Sequence, residues 1–292
     1  MMQTKPTVTI IGKGAVGSAL SGFFTENGYQ IISEWTSRSG RIVHDRTKEP
    51  VLVERNHPES SEEMGDLIFI TTPDDEISVV AGKLAELPIT WSEKLVVHTS
   101  GNITSSVLNP LKEKGASVAS MHPIQTFRKG DGPGRFEQIY MSLEGDQELC
   151  LFLEKMVELM KAQSFFLTPD QKSLMHIAAV FSSNYVTALM HKMESFLIEA
   201  EVDDGINVLE PLVKQAISNI FEKGPAESLT GPISRGDYDS VQKHLELLEH
   251  DKDLTILYKK LGSEALKIAE KRKNLPIDRM KKLRKILEQD FQ

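Results

Sequence analysis

Disulfide chemistry, long apolar runs and metal-ligand spacing are what this 292-residue sequence lacks. With a single cysteine, Cys150, no disulfide can form within the chain. Its neighbours Leu149, Leu151 and Phe152 mark it as a small buried apolar residue. Nowhere do eighteen uncharged apolar residues follow one another, which excludes a membrane-spanning helix. The opening MMQTKPTVTIIGKG holds no apolar run with a cleavage site, so the expected location is cytoplasmic. The eight histidines are scattered without HxH or HExxH spacing, and no metal site is expected. A net charge of −8 leaves little basic surface, so neither nucleic acid nor membrane is expected as a partner.

What is present is 40 % hydrophobic residues, enough for ordinary cores, over a length that suits two domains. From Val8 to about Thr168, β-branched runs alternate with helical stretches, the pattern of a parallel sheet wrapped by helices. Strands are predicted at Val8 to Ile11, Gln30 to Ser37, Leu67 to Thr72, Leu95 to Ser100 and Ser117 to Met121, and runs from Ile139 and Ser164 could extend the sheet. After Pro169 only amphipathic helices are predicted, at Gln171 to Ala200, Gly205 to Lys223, Asp237 to Leu248 and Leu254 to Lys271. Pro211 should kink the second of these or mark its true start. The segments Gly40 to Ser61 and Lys129 to Arg135 read as loops, the latter either a plain surface loop or a lid. An apolar stripe from Ile277 through Met280 and Leu283 to Ile286 and Leu287 in the basic tail points to packing or a dimer contact. The expected architecture is α/β: a doubly wound sheet over residues 1–168 and an all-helical domain over 169–292.

Gly12-Lys13-Gly14-Ala15-Val16-Gly17 follows a predicted strand and opens a predicted helix ending at Asn27-Gly28. In that context the GxGxxG spacing is the dinucleotide fingerprint of a Rossmann-type unit. Gly12 allows the tight turn, Gly14 the approach of the pyrophosphate, and Gly17 the close packing of helix on strand. The helix N-terminus supplies amide donors and positive potential. At the end of the second strand, where an acidic residue would accept from the ribose of NAD, the sequence reads Thr36-Ser37-Arg38-Ser39. A guanidinium with flanking hydroxyls suits a 2′-phosphate, so NADP is the expected cofactor. Glu34 on the same strand is the residue that could support NAD instead. Thr72, Pro73 and Asp74 follow the next strand, where open α/β sheets bind ligands. Asp74 and Asp75 could contact cofactor or cap the following helix.

A nicotinamide enzyme must also position substrate and handle a proton. His98 reads as structural, whereas Ser100 and His122 end adjacent strands and are better placed to meet substrate, with a loop anchor the equal alternative for His122 because it precedes Pro123. On the first long helix after Pro169, Lys172, His176 and Ser183 fall within about 40° of one another and Asn184 lies about 80° beyond His176, at about 100° per residue. Surrounded by Leu174, Ile177, Val180 and Phe181, these polar groups need partners, either substrate or cofactor in an interdomain cleft or one another in a structural network.

The set GKGAVG, TSRS, TTPDDEI, HTSG, MHPIQTF, KSLMHIAAVFSSNY and LTGPISRGD resembles bacterial two-domain proteins similar to the NADP-dependent oxidoreductases that include deazaflavin-dependent NADP reductase. These carry a C-terminal helical domain of unknown function. A more distant resemblance is to prephenate dehydrogenase, pyrroline-carboxylate reductase, ketopantoate reductase and the β-hydroxyacid dehydrogenases. That resemblance implies a helical second domain that closes the site and dimerises, and hence a homodimer. In the β-hydroxyacid enzymes a lysine and an asparagine four residues apart work on the interdomain helix, but here the residue four after Lys172 is His176. The resemblance therefore implies that the helix walls the site without fixing the lysine's role. The MHP stretch is similar to the HPM segment of prephenate dehydrogenases and implies that His122 lies near substrate. Within LTGPISRGD, Thr230-Gly231-Pro232 reads as a turn, Ser234 or Asp237 as a cap, and Arg235 as either a carboxylate clamp or a structural ion-pair partner. The expected function is an NADP-dependent oxidoreductase acting on a small carbonyl, imine or hydroxy compound. The alternative is a non-catalytic NADP-binding sensor or assembly protein.

Overall fold

A computed structural model of the chain describes residues 5–43, 49–272 and 275–288. Short β-branched runs become strands in it: Val8–Ile11 (β1), Ile31–Trp35 (β2), Gly40–Ile42 (β3), Val51–Val53 (β4), Leu67–Ile70 (β5), Leu95–His98 (β6), Ser117–Pro123 (β7), Tyr140–Gly145 (β8) and Gln163–Phe166 (β9). They form one nine-stranded sheet in the order β4-β3-β2-β1-β5-β6-β7-β8-β9. In that order the pairings from β2 through β1, β5 and β6 to β7 are parallel, β2–β3, β3–β4 and β7–β8 are antiparallel, and β8–β9 is parallel. Every residue of β1 and β5 is buried, as central parallel strands covered on both faces must be.

Strand alternation sorts the core into two layers. Leu67 and Phe69 of β5 face one cluster, with Phe24, Val97, Met121 and Met141, while Ile68 and Ile70 face the other, with Trp35, Leu84, Trp91 and Val118. Ala15–Glu26 (α1) and Gln147–Leu159 (α4) contribute to the first layer, and Asp74–Ala85 (α2) and Asn109–Lys112 (α3) to the second. Thr9, polar within β1, is buried without strain because its hydroxyl meets Ser33 Oγ at 3.1 Å and accepts from Gly65 N at 2.9 Å. Cys150 is buried in the first layer, and burial pushes its thiol up to about 11.

The helical remainder comprises Pro169–Ser182 (α5), Asn184–Glu199 (α6), Glu210–Ser228 (α7), Gly231–Arg235 (α8), Tyr238–Leu247 (α9), Lys252–Lys271 (α10) and Ile277–Glu288 (α11). Ile233, Val241, Leu245, Leu266, Leu283 and Leu287 form a third core. The expected apolar stripe of the tail supplies part of that core from α11. Residues 273–274 and 289–292 of the tail lie outside the described residues.

Two expectations change, and one alternative is decided. The long helix from Gln171 to Ala200 breaks at Ser183, which takes φ −128° and ψ −67° between α5 and α6. Pro211 marks a start rather than a kink: it sits in the first turn of α7, where its missing N–H costs nothing, and the break in that helix falls at Gly224 with φ 82°. The Gly40 to Ser61 loop contains β3 and β4, each three residues long and too short to show a period; residues 44–48 of it lie outside the described residues. Gly40 is needed there, because a Cβ would fall 2.1 Å from the Trp35 ring. The Lys129 to Arg135 loop is pinned at its end by Phe136, buried and 5.1 Å from Phe127.

By internal contact the chain divides into Met1–Ala188 and Leu189–Gln292, whereas the sequence places the boundary near Thr168. The α5 helix goes with the sheet, its Lys172 buried against Ser100 in the turn after β6 and Ser120 of β7. Among the described residues no helix is long and apolar enough to cross a membrane, and no cluster of His, Cys, Asp and Glu is arranged to hold a metal.

Phe69 is fully buried with its ring 5.5 Å from that of Phe24. Phe69→Ala is expected to lower the unfolding free energy by about 3–5 kcal/mol in urea denaturation, and a loss under about 1 kcal/mol would contradict this placement of the core.

Candidate functional site

The parallel strands end together on one edge, and the turns leaving them build two pockets, both lined by residues of the first unit. The first pocket, of about 600 Å³, lies over the glycine-rich turn after β1 and is walled by Lys13, Thr36, Ser37, Asn56, Thr72 and Pro73, among others. Gly12 adopts φ 101° and packs so closely that a Cβ would lie 2.6 Å from the Thr71 carbonyl carbon. At Gly17 a Cβ would lie 2.0 Å from the Gly12 oxygen, which is the close helix–strand contact the motif implies. Gly14, the N-cap of α1, faces open space and offers no side-chain cap, and the first turn carries no acidic residue. The amides of Ala15 and Val16 in that first turn therefore have no intrahelical acceptor and favour an anion.

Thr36 organises the segment after β2: its Oγ1 accepts from Arg38 N at 3.2 Å and from Ser39 N at 3.0 Å. Ser37 lines the pocket, Arg38 is exposed beside it, and the Ser39 hydroxyl meets Thr36 Oγ1 at 3.0 Å. Glu34 is 4 % exposed and its carboxylate is committed to the protein. Oε2 receives Lys13 Nζ at 2.9 Å and Arg41 Nη1 at 3.4 Å, and Oε1 accepts from the Ser21 hydroxyl. The residue that could have supported NAD thus serves as an internal counter-ion. Thr72 Oγ1 is buried at the pocket without a partner, an orphan that a bound polar ligand would satisfy. Asp74 and Asp75 lie in the first turn of α2, whose N-cap is Pro73, so neither makes the capping bond. Together, the open Gly14 backbone, the uncapped amides and the unpaired Thr72 fit a dinucleotide phosphate.

The second pocket, of about 430 Å³, is bounded by His122 and Pro123 at the end of β7, by Gln125 and Thr126 after it, and by His176, Ser183 and Asn184. Here the break at Ser183 matters: the helical wheel does not extend to Asn184, yet the turn brings it to the same cavity as His176. Ser183 is tied down by bonds from its hydroxyl to Ala179 O at 2.7 Å and to Asn184 Oδ1 at 2.8 Å. The imidazole of His122 lies over Gly101, where a Cβ would come within 2.6 Å of Nε2. His122 Nδ1 meets Thr99 O at 3.1 Å. A carbonyl only accepts, so Nδ1 carries the proton and Nε2 of the neutral ring is an acceptor. Burial lowers His122 to about 4, opposed by its bond to Thr99 and reinforced by the charge of Lys172.

Two expected catalytic residues lie outside this pocket wall. Ser100 is buried, its hydroxyl accepting from Asn102 N at 3.2 Å and Ile103 N at 3.0 Å. Lys172 is 1 % exposed and donates to Ser100 O at 2.8 Å and to the Ser120 hydroxyl. Burial brings its ammonium down to about 8, with Glu144 and Asp74 pulling the other way. Burial and the Lys172 charge hold His98 near 3, so it is neutral and structural. Sequence reasoning missed Ser120, Thr99, Gly101 and Glu144. Ser120 and His122 share one parity of β7, a signal available in the strand; Glu144, bonded to Ser105 N and Oγ at 2.7 Å each, had none. In the second unit, Asp237 caps α9 by accepting from Ser240 N at 3.1 Å. Arg235 is exposed, and its charge lowers the Asp237 carboxyl after the Ser240 hydrogen bonds.

Residues 1–123 match the Rossmann-like domain family, and residues 139–265 match a domain of unknown function, DUF2520. The DUF2520 match begins just before β8, so β8, α4 and β9 fall within the second match while β8 and β9 pair into the sheet. No curated protein matches the chain in sequence. A Bacteroides fragilis protein provisionally named an NADP oxidoreductase is similar in structure, with TM-score 0.69 and 20 % identity over 90 % of this chain and 98 % of that one. An imine reductase from Aspergillus terreus, solved with NADPH4 and dibenz[c,e]azepine, gives 0.63 and 16 % over 95 % and 99 %. A reductive aminase from the same organism, solved with NADPH and ethyl levulinate, gives 0.61 and 15 % over 94 % and 100 %. These likenesses show a shared fold.

Lys172 binds its proton more weakly in the folded chain than at the ordinary lysine value of 10.5. Between about pH 8 and 10.5 the unfolded chain holds a proton that the native chain has lost, so stability linked to Lys172 rises with pH across that window. The wild-type protein is therefore expected to gain on Lys172→Met in unfolding free energy between about pH 7 and about pH 10. An unchanged difference would mean that Lys172 is solvated.

Proposed function

We propose that the chain is an NADP-dependent oxidoreductase that passes a hydride between nicotinamide and a small carbonyl, imine or hydroxy compound. The observation that carries this reading is the placement of two pockets along one strand-end edge: an uncapped, orphan-bearing phosphate turn after β1 and β5, and a histidine pocket after β7, with only β6 between them. When bound, the nicotinamide supplies the hydride, and what falls to the chain is binding, orientation and proton handling. The first-turn amides of α1 hold the pyrophosphate, Arg38 and Ser37 read the 2′-phosphate, and Thr72 bonds the cofactor as it leaves β5. His122 presents an acceptor nitrogen to substrate, able to take a proton from a hydroxyl or to orient an N–H group. His176 and Asn184 complete the polar wall. Lys172 acts from beneath, its charge helping to keep His122 neutral.

The partner is a second copy of the chain. Neither α6, at 16 residues, nor α7, at 19, has a single buried residue, although isolated helices of this length are marginal in water. Both expose large apolar side chains, including Ile198, Leu212 and Phe221 at 86 %. A homodimer through these helices buries them.

Calorimetric titration is expected to show NADPH binding more tightly than NADH by about tenfold or more, as a charge-assisted phosphate contact contributes. Binding of neither nucleotide would end the oxidoreductase reading. Light scattering is expected to return twice the chain mass of 32.7 kDa, and a monomer at micromolar concentration would remove the dimer.

A further inference from the structure

The cofactor pocket holds a charge arrangement that the glycine motif does not require. Lys13 occupies the variable position between Gly12 and Gly14, yet its side chain runs across to the end of β2, where Nζ lies 2.9 Å from Glu34 Oε2. Arg41 reaches the same oxygen at 3.4 Å. One carboxylate therefore balances two cations and leaves one positive charge in excess. Glu34 is 4 % exposed while the Lys13 side chain is 35 % exposed, so the anion is sealed beneath and the cation lies at the pocket. Arg38 adds a second excess charge, since it makes no ion pair among the described residues. Among the described residues Lys13, Arg41 and Arg38 thus outweigh Glu34 by two charges at the end of β2, a match for a phosphomonoester dianion, whereas a ribose with free hydroxyls presents no charge there; the acidic side chain that lines the pocket itself is Glu76 of α2.

We infer that Lys13, anchored by Glu34 at the end of β2, is a second reader of the cofactor's 2′-phosphate and a determinant of NADPH over NADH. The inference rests on the nicotinamide reading above. A lysine directed toward the pyrophosphate would serve both cofactors alike, but this one is tethered at the strand end that meets the adenosine ribose. The anchor restricts a side chain that is otherwise rich in rotamers, so less freedom is lost when phosphate arrives. Glu34 itself donates nothing to the phosphate, and its part is to position Lys13 and Arg41.

The test is calorimetric titration of wild type, Lys13→Met and Lys13→Arg with NADPH and NADH, after a thermal melt shows the variants folded. Lys13→Met is expected to weaken NADPH by about tenfold or more and NADH by less than about twofold, the size of a lost charge-assisted contact. Lys13→Arg, which keeps the charge, is expected to recover most of the NADPH affinity. Equal losses for the two cofactors would place Lys13 on the pyrophosphate and overturn the inference, as would no loss of NADPH binding in Lys13→Met or no recovery in Lys13→Arg. A wild type that binds neither nucleotide would instead remove the underlying cofactor reading, so the two failures are distinguishable.

Discussion

A buried ammonium ties the candidate site together. Lys172 sits 1 % exposed where α5 meets the ends of β6 and β7, and it keeps a charge there only because Ser100 O and the Ser120 hydroxyl receive its protons while Glu144 and Asp74 lie within electrostatic reach. Removing a charged group from water is costly, so such a contact persists only with its partners in register. That register fixes α5 on the sheet edge and brings His176, one turn later, to the pocket of His122. The same charge reinforces the burial that holds His98 and His122 unprotonated. Lys172 thus bears on position in the pocket and, after burial, on protonation state as well.

The cofactor side depends on close backbone approach instead. Gly12 and Gly17 leave no room for a Cβ, and Gly14 leaves open space, so one motif yields both a tight helix–strand contact and an accessible turn. Charge then adjusts what the turn can hold. Glu34 is sealed by Lys13, Arg41 and Ser21, which withdraws from a ribose the acidic side chain of β2.

Much of the sheet was legible because central parallel strands must be apolar on both faces, which is how Val8 to Ile11 and Leu67 to Ile70 read in the sequence. The strands β3 and β4 were not, since three residues at an edge carry no period. His122 at a strand end and His176 on a helix face were each legible as candidates to meet substrate, and that both line one pocket was not. The exclusion of Lys172 and Ser100 from the pocket wall was not, because spacing gives a side chain's direction about a helix or strand but not its depth.

By itself the sequence determined the glycine turn and its helix, the α/β order, and the replacement of an acidic ribose ligand by Thr36-Ser37-Arg38-Ser39, since each is a local pattern governed by backbone geometry and side-chain chemistry. Only the tertiary structure decided that α5 goes with the sheet, that Glu34 faces Lys13, and that His122 offers an acceptor nitrogen. These follow from contacts between residues far apart in the chain, such as Lys172 with Ser100 and His122 with Thr99, and no local pattern encodes which distant partner satisfies a buried polar group.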